Sequence, residues 1–190
     1  HFRFSAGKGY RSPMILAENN HFLANSRNIS IAPDLKQEEA WNYGVSFVQD
    51  YMVWDRSLQI NAEFFRTDFM SQLVADRESS ATEIILSPLD GKSYANSLQF
   101  DVRYQLIERL DVLLAYRLND TKQTINGELK EFPLNSRYKG LINLNYTTNL
   151  KKWMFDYTIQ FNGGGRLPDN MASAGNTEFE PFTIMNAQVT

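Results

Sequence analysis

Four arginines carry the most chemical potential in this chain. Arg66, Arg103, Arg117 and Arg137 lie on an alternating polar stripe or close to its end, among Glu63, Asp101, Asp111 and Asp156. Guanidinium groups so placed either attract an anion or pair with neighbouring carboxylates. The signs are mixed, which favours pairing with those four acids. His1 and His21 are the only imidazoles, and neither has a second ligand at helical or hairpin spacing, so no metal site is expected. Gly7-Lys8-Gly9 opens like a phosphate loop but lacks the downstream Lys-Ser/Thr pair and the helix that hold a phosphate. Glycine there fits a strand that bends as it leaves a sheet. Ser5, Ser12 and Ser26 have no partner pattern, and neither a nucleophile elbow nor a metalloprotease helix occurs. Neither catalysis nor a bound cofactor is expected.

The elements that hold these groups repeat with period two. Apolar stripes run Phe2-Phe4-Ala6, Trp41-Tyr43-Val45-Phe47, Leu58-Ile60-Ala62-Phe64 and Leu98-Phe100-Val102-Tyr104. They continue as Leu110-Val112-Leu114-Tyr116-Leu118, Tyr138-Gly140-Ile142-Leu144-Tyr146, Trp153-Phe155-Tyr157-Ile159-Phe161 and Met185-Ala187-Val189. Polar residues oppose them, with Leu113 and Leu141 as exceptions that could face a plug or a loop. Connections alternate in length. Short ones fall around Val53–Ser57, Gln105–Arg109 and Thr148–Lys152; long ones run roughly 11–38, 75–92, 120–136 and 163–181. Ser87–Lys92 and Gly163–Pro168 read as turns, and Asp34 could cap a short helix before Glu39.

The totals fit a wall more than a core. The chain has 190 residues, no cysteine, 13% aromatics and a formal charge of −3. Mild acidity argues against a nucleic-acid binder, and the lack of cysteine excludes disulfides and thiolate metal sites. No apolar run reaches the roughly 18 residues of a spanning helix, whereas a spanning strand needs only about 10, with alternate residues apolar. Periodicity alone leaves open which face meets water. Three features favour the membrane: long charged and amide groups on the polar side, apolar stripes of about the right length for a tilted crossing, and loops sorted by length to opposite sides. Tyr51, Trp54, Tyr104, Tyr146 and Trp153 beside the short turns fit an aromatic girdle.

Ser5-Ala6-Gly7-Lys8-Gly9-Tyr10-Arg11-Ser12-Pro13, with Ala17-Glu18-Asn19 after it, resembles the TonB-dependent receptor family. The likeness continues through Leu35–Gly44, with Glu39-Ala40-Trp41-Asn42-Tyr43-Gly44, and through Phe64-Phe65-Arg66-Thr67-Asp68-Phe69. Beyond Ala95-Asn96-Ser97-Leu98 it rests on strand layout. It is closest to receptors of Bacteroidetes-type bacteria. The resemblance implies a barrel of about 22 strands closed by an N-terminal plug. It implies uptake of a scarce ligand across the bacterial outer membrane, driven by the TonB complex acting on a segment ahead of the plug. A ferric siderophore is the first expectation, ahead of haem, cobalamin or a glycan. Partners would be outer-membrane lipid, the TonB complex and a small ligand such as an iron chelate, with no nucleic acid. It also implies that the loop carrying Glu18, Asn19, His21 and Arg27 lies near the ligand entrance.

The expectation is thus all-β: an antiparallel, up-and-down transmembrane barrel segment of about eight strands from a larger barrel. Residues 1–190 would form a partial barrel domain without plug or barrel ends, since the chain opens and closes inside alternating patterns. Two alternatives stand beside it. One is a complete eight-stranded outer-membrane barrel with a structural or adhesive role. The other is a soluble lipocalin-like barrel whose aromatic stripes line a dry cup.

Overall fold

The computed structural model describes residues 1–20, 27–80, 82–169 and 176–190. Eight strands form one antiparallel meander: β1 (Phe2–Arg11), β3 (Glu38–Val53), β4 (Arg56–Ser71), β7 (Ser93–Ile107), β8 (Leu110–Ile125), β10 (Tyr138–Thr147), β11 (Met154–Asn162) and β14 (Phe182–Val189). Each pairs with its neighbours in that order, so β1 and β14 are the two free edges. A closed eight-stranded barrel needs those edges to pair with each other, and they do not. The remaining strands sit in the long connections. They are β2 (Asn28–Ile31), β5 (Leu73–Asp76), β6 (Glu83–Pro88), β9 (Glu128–Glu131), β12 (Gly165–Arg166) and β13 (Glu178–Phe179). One helical turn, α1 (Ile15–Glu18), follows β1. Asp34 lies in a turn and caps no helix.

Register turns the sequence stripes into rows that cross the wall. One row reads Phe2, Phe47, Ala62, Phe100, Tyr116, Gly140, Phe161. The row toward the short turns holds Ile60, Val102, Leu114, Ile142, Ile159 and Met185. Below it come Tyr51, Leu58, Tyr104, Val112, Leu144 and Tyr157, then Leu110, Tyr146, Phe155 and Val189. Toward the long loops lies Phe4, Val45, Phe64, Leu98, Leu118, Tyr138. Gln49 interrupts these rows, and its amide donates to the Asp50 carbonyl at 3.2 Å. Two residues advance about 6.8 Å along a strand. At a tilt of about 40° each row takes up about 5 Å of height, so five rows fill about 25 Å, the height of the apolar band of an outer-membrane barrel.

This face covers nothing. Phe4, Phe64, Leu98, Phe100, Leu114 and Tyr116 are all exposed, and the buried apolar residues among those described are Val74, Ile84, Leu86 and Ile125. Each of these belongs to the loop side of the molecule. A lipocalin-like cup would bury the aromatic stripes instead. The opposite face carries side-chain hydrogen bonds between strands: Asn61 to Asp101 at 3.0 Å, Asn143 to Asp156 at 3.0 Å and to Thr158 at 2.8 Å, and Asn42 to Thr67 at 2.8 Å. Leu141 stands on this face, paired between Ala115 and Gln160, and Leu113 pairs with Asn143. Gly44 has a structural reason there, because a Cβ would overlap the ring of Phe65 across the pair. Gly7 and Gly9 sit inside β1 in unbroken register with β3, so the strand does not leave the sheet there as expected.

The short turns are tight. Trp54 and Asp55 join β3 to β4 with φ of 51° and 57°, the mirror-image turn whose twist matches a hairpin. Neither residue is glycine, and the left-handed region costs an ordinary residue about 1–2 kcal/mol. Trp54 is 84% exposed, so packing does not repay that cost. Replacing Trp54-Asp55 with Asn-Gly is expected to stabilise the folded barrel by about 1 kcal/mol in urea titration. A destabilised variant would show that Trp54 anchors the turn in its surroundings.

Candidate functional site

The long connections are built structures. Ile84 and Leu86 are the fully buried pair of a small three-stranded sheet, packed against Ile15, Ile29, Leu73 and Ala75. In it β5 and β6 form a hairpin, and β2 joins β6 in parallel, from Asn28 opposite Glu83 to Ile31 opposite Leu86. The first and second long connections thus share one core. β8 runs past the wall into a hairpin with β9 through Asn126 and Gly127, both at positive φ.

Charged ties fasten these pieces. Arg166 holds Glu78 with both terminal nitrogens, at 2.6 and 2.8 Å, and their side chains are only 13% and 6% exposed. Its Nε donates to the Glu131 carbonyl at 2.7 Å, and Nη1 also reaches Asp169 at 3.1 Å. Lys130 takes the other Asp169 oxygen at 2.9 Å. Arg137 donates to Glu131 at 2.9 Å and grips Glu178 twice, at 2.6 and 3.1 Å. Asp76 accepts from the backbone of Glu78 and Ser79 at 2.9 and 3.0 Å, from the Ser79 hydroxyl, and from Asn126 at 3.4 Å. Gly163–Gly165 lets the chain through this crowd. A Cβ on Gly164 would overlap the Phe179 carbonyl, and one on Gly165 the Asn135 carbonyl. The run reads in sequence as a turn; in the structure it is a close backbone crossing.

Burial pushes the Asp76 carboxyl up, but its hydrogen bonds from Ser79, Glu78 and Asn126 outweigh this and hold it below the usual carboxylate range. Lys130, followed by Arg166, holds Asp169 low against burial. A depressed folded pKa means a contribution present above the ordinary value of about 4 and lost as pH falls through the lowered one. The ties that Asp76 and Asp169 make are therefore expected to be fully formed at about pH 5 and to loosen only in stronger acid. Carboxyl-carbon NMR titration of Asp76 and Asp169 checks this; midpoints above about 4 would contradict it.

The residues expected near a ligand fall on the first long connection. Glu18 ends α1 and pairs with Arg11 at 3.2 Å. The Asn19 amide donates to the Ile15 carbonyl at 2.9 Å. Arg27 reaches across to the Arg77 carbonyl at 3.1 Å, joining the first connection to the second. His21 lies outside the described residues. Glu18 and Asn19 share one turn, and Arg27 precedes β2.

Two expectations about the arginines need correcting. Arg66 aligns with Tyr43 and Asn96, on the apolar face beyond its last apolar row, and not on the polar face. Its partners are Asp68, at 2.9 and 2.6 Å, and Asn96 at 3.1 Å. Arg117 and Arg137 do occupy the polar face, but they take Gln99 and the pair Glu131 and Glu178 in place of Glu63, Asp101, Asp111 or Asp156. Register decides this: Gln99 stands directly opposite Arg117. Asp101 and Asp156 are met by asparagines instead. Among the described residues no three His, Asp or Glu side chains are placed to share a metal ion.

The sequence matches a protein family described as TonB dependent receptor-like, beta-barrel, over residues 1–190. It matches no curated protein. Among solved structures, the fold is similar to the FrpB iron transporter from Neisseria meningitidis (F3-3 variant), with a TM-score of 0.63 and 16% identity. The match covers 100% of this chain and 30% of that chain. At this identity the likeness is one of fold.

Proposed function

The chain belongs to the TonB-dependent receptor-like β-barrel family, and from that premise we propose that it forms part of the wall and ligand entrance of a receptor importing an iron chelate, a ferric siderophore first, across the bacterial outer membrane. In this reading further strands extend the wall from the free edges of β1 and β14, and a plug fills the lumen and is pulled by the TonB complex. The exposed aromatic rows meet lipid. The polar face lines a wet passage. Membership of the family supports uptake of a ligand in general; the iron chelate is our assignment.

One observation carries the reading: an apolar face that buries nothing, with every long connection gathered at one end as a built assembly. Loops that served only as linkers would not need a core of Ile84 and Leu86 or a buried Arg166–Glu78 pair. In the proposal the first connection, with Glu18, Asn19, His21 and Arg27, touches ligand, and the other connections form the frame behind it. The likeness to an iron transporter supports the choice of cargo. Growth of a deletion strain under iron, cobalamin and glycan limitation tests it. A defect confined to iron limitation is expected, restored fully by the intact gene and only partly by a copy carrying Arg27→Ala. A defect under another limitation alone would reassign the cargo.

A further inference from the structure

Two Asn-Gly pairs occur in this chain, at 126–127 and at 162–163. When glycine follows asparagine, no side chain shields the backbone nitrogen from the preceding carboxamide. The structure treats the two pairs in opposite ways. Asn126 and Gly127 form the turn between Ile125 and Glu128, and both are exposed. The Gly127 N–H makes no hydrogen bond among the described residues, and a Cβ built there would meet nothing within 4 Å. Asn162 is 5% exposed, and Gly163 beside it is buried. The Gly163 N–H is spent on the Tyr138 carbonyl at 2.9 Å, and the Tyr138 ring fills the space where a Cβ would stand.

We infer that Asn126 is a site of spontaneous deamidation, that Asn162 is not, and that the change at 126 unfastens the third long connection from the second. In the reaction the Gly127 nitrogen attacks Cγ of Asn126. A C–N bond forms, the Cγ–Nδ2 bond breaks, and ammonia leaves with the proton that the Gly127 nitrogen gives up. Water then opens the five-membered imide at either carbonyl, giving aspartate or isoaspartate. One water is consumed and one ammonia released, with no oxidant or reductant. The tie that Asn126 makes both guards this residue and is destroyed by the change. Its Nδ2 donates to the Ser79 hydroxyl at 2.5 Å and to Asp76 at 3.4 Å, while Ser79 donates to the same Asp76 oxygen. These bonds fix the carboxamide, so conversion draws on the molecules in which the tie has opened. Afterwards position 126 has no side-chain N–H to offer. Two carboxylates then face each other and compete for the one Ser79 proton. The isoaspartyl form also adds a methylene to the backbone of a two-residue turn. A reversible opening thus becomes permanent.

The test holds the full-length protein in detergent micelles at neutral pH and growth temperature. Peptide mass spectrometry with isoaspartyl methyltransferase labelling follows both asparagines over time. Conversion is expected at 126 and not at 162, while synthetic peptides of residues 123–130 and 160–165 both convert. Ser79→Ala is expected to speed conversion at 126 by about ten-fold, the worth of one hydrogen bond lost from the closed tie. Folding of the variants is checked by heat-dependent gel mobility. Hydrogen exchange at 76–79 and 123–130 should quicken in step with conversion, and in Asn126→Asp from the outset, with the middle of β4 and β8 unchanged. Equal conversion at the two sites of the folded protein overturns the assignment, as does an intact Asn126 alongside reactive peptides. A wild-type rate in Ser79→Ala overturns the guarding tie. Conversion at 126 that leaves local exchange unchanged overturns the release.

Discussion

Phe100→Arg is expected to cost the folded barrel about 2–4 kcal/mol, while Ala115→Arg costs little. The two positions are close in the wall. Phe100 pairs with Tyr116 in the apolar row next to the middle one, and Ala115 pairs with Asp101 on the opposite face. A guanidinium at position 100 has no partner in that row and must drag water or headgroups toward the bilayer midplane. At position 115 the same group meets the Asp101 carboxylate in a wet setting. Burial in a protein core does not predict this contrast, because Phe100 is already exposed. Urea unfolding of the intact receptor in vesicles measures both. Equal costs, or the reverse order, would mean that the aromatic rows are not the hydrocarbon-facing side.

The second large effect lies in the loops. Arg166→Met leaves the Glu78 carboxylate buried without its cation. Breaking such a pair from one side costs about 3–5 kcal/mol. The cost should fall on the loop assembly and not on the wall, because residues 78 and 166 lie in connections between wall strands. Hydrogen exchange is expected to quicken at 77–80, 130–137 and 165–169, while amides in the middle of β4, β8 and β11 keep wild-type protection. The double variant Arg166→Met with Glu78→Leu should recover most of the loss, since two apolar side chains in place of a buried pair are often neutral. A single variant with unchanged loop exchange would show that backbone contacts hold the assembly alone. A double variant as loose as the single would show that Arg166 acts mainly through the Glu131 carbonyl and Asp169.

The wall was legible in sequence because its physics is local. Period two sorts side chains to two faces, and one face here is apolar in every strand. The short turns could be located too, since they fall where stripes stop and restart within a few residues. Strand length was not legible. β4 runs to Ser71 and β8 to Ile125, well past the last apolar residue of each stripe. In Arg66-Thr67-Asp68 both faces are polar, so no alternation marks the backbone as extended. The loop assembly was hidden for a different reason. Glu78 and Arg166 are 88 residues apart, and only the folded wall brings them together. Ile84-Ile85-Leu86 is an unbroken apolar run too short to announce a strand, and nothing near Asn28 names β6 as its parallel partner. Asn126-Gly127 was the available signal, a standard hairpin pair, inside a segment read as loop. Of the candidate ligand residues, spacing placed Glu18 and Asn19 together but gave no sign that Arg27 would bridge to Arg77.

The parallel pairing of β2 with β6 bears on how such a molecule can diversify. A hairpin loop is exchangeable as a cassette, since both its ends return to the same wall position. Here half of one cassette is stitched into the next, so a donor sequence spliced over residues 12–37 alone would leave β6 with a bare edge. New variants of this loop assembly must therefore arise by point changes on a retained frame, or by inheriting both connections and the two strands between them as a block.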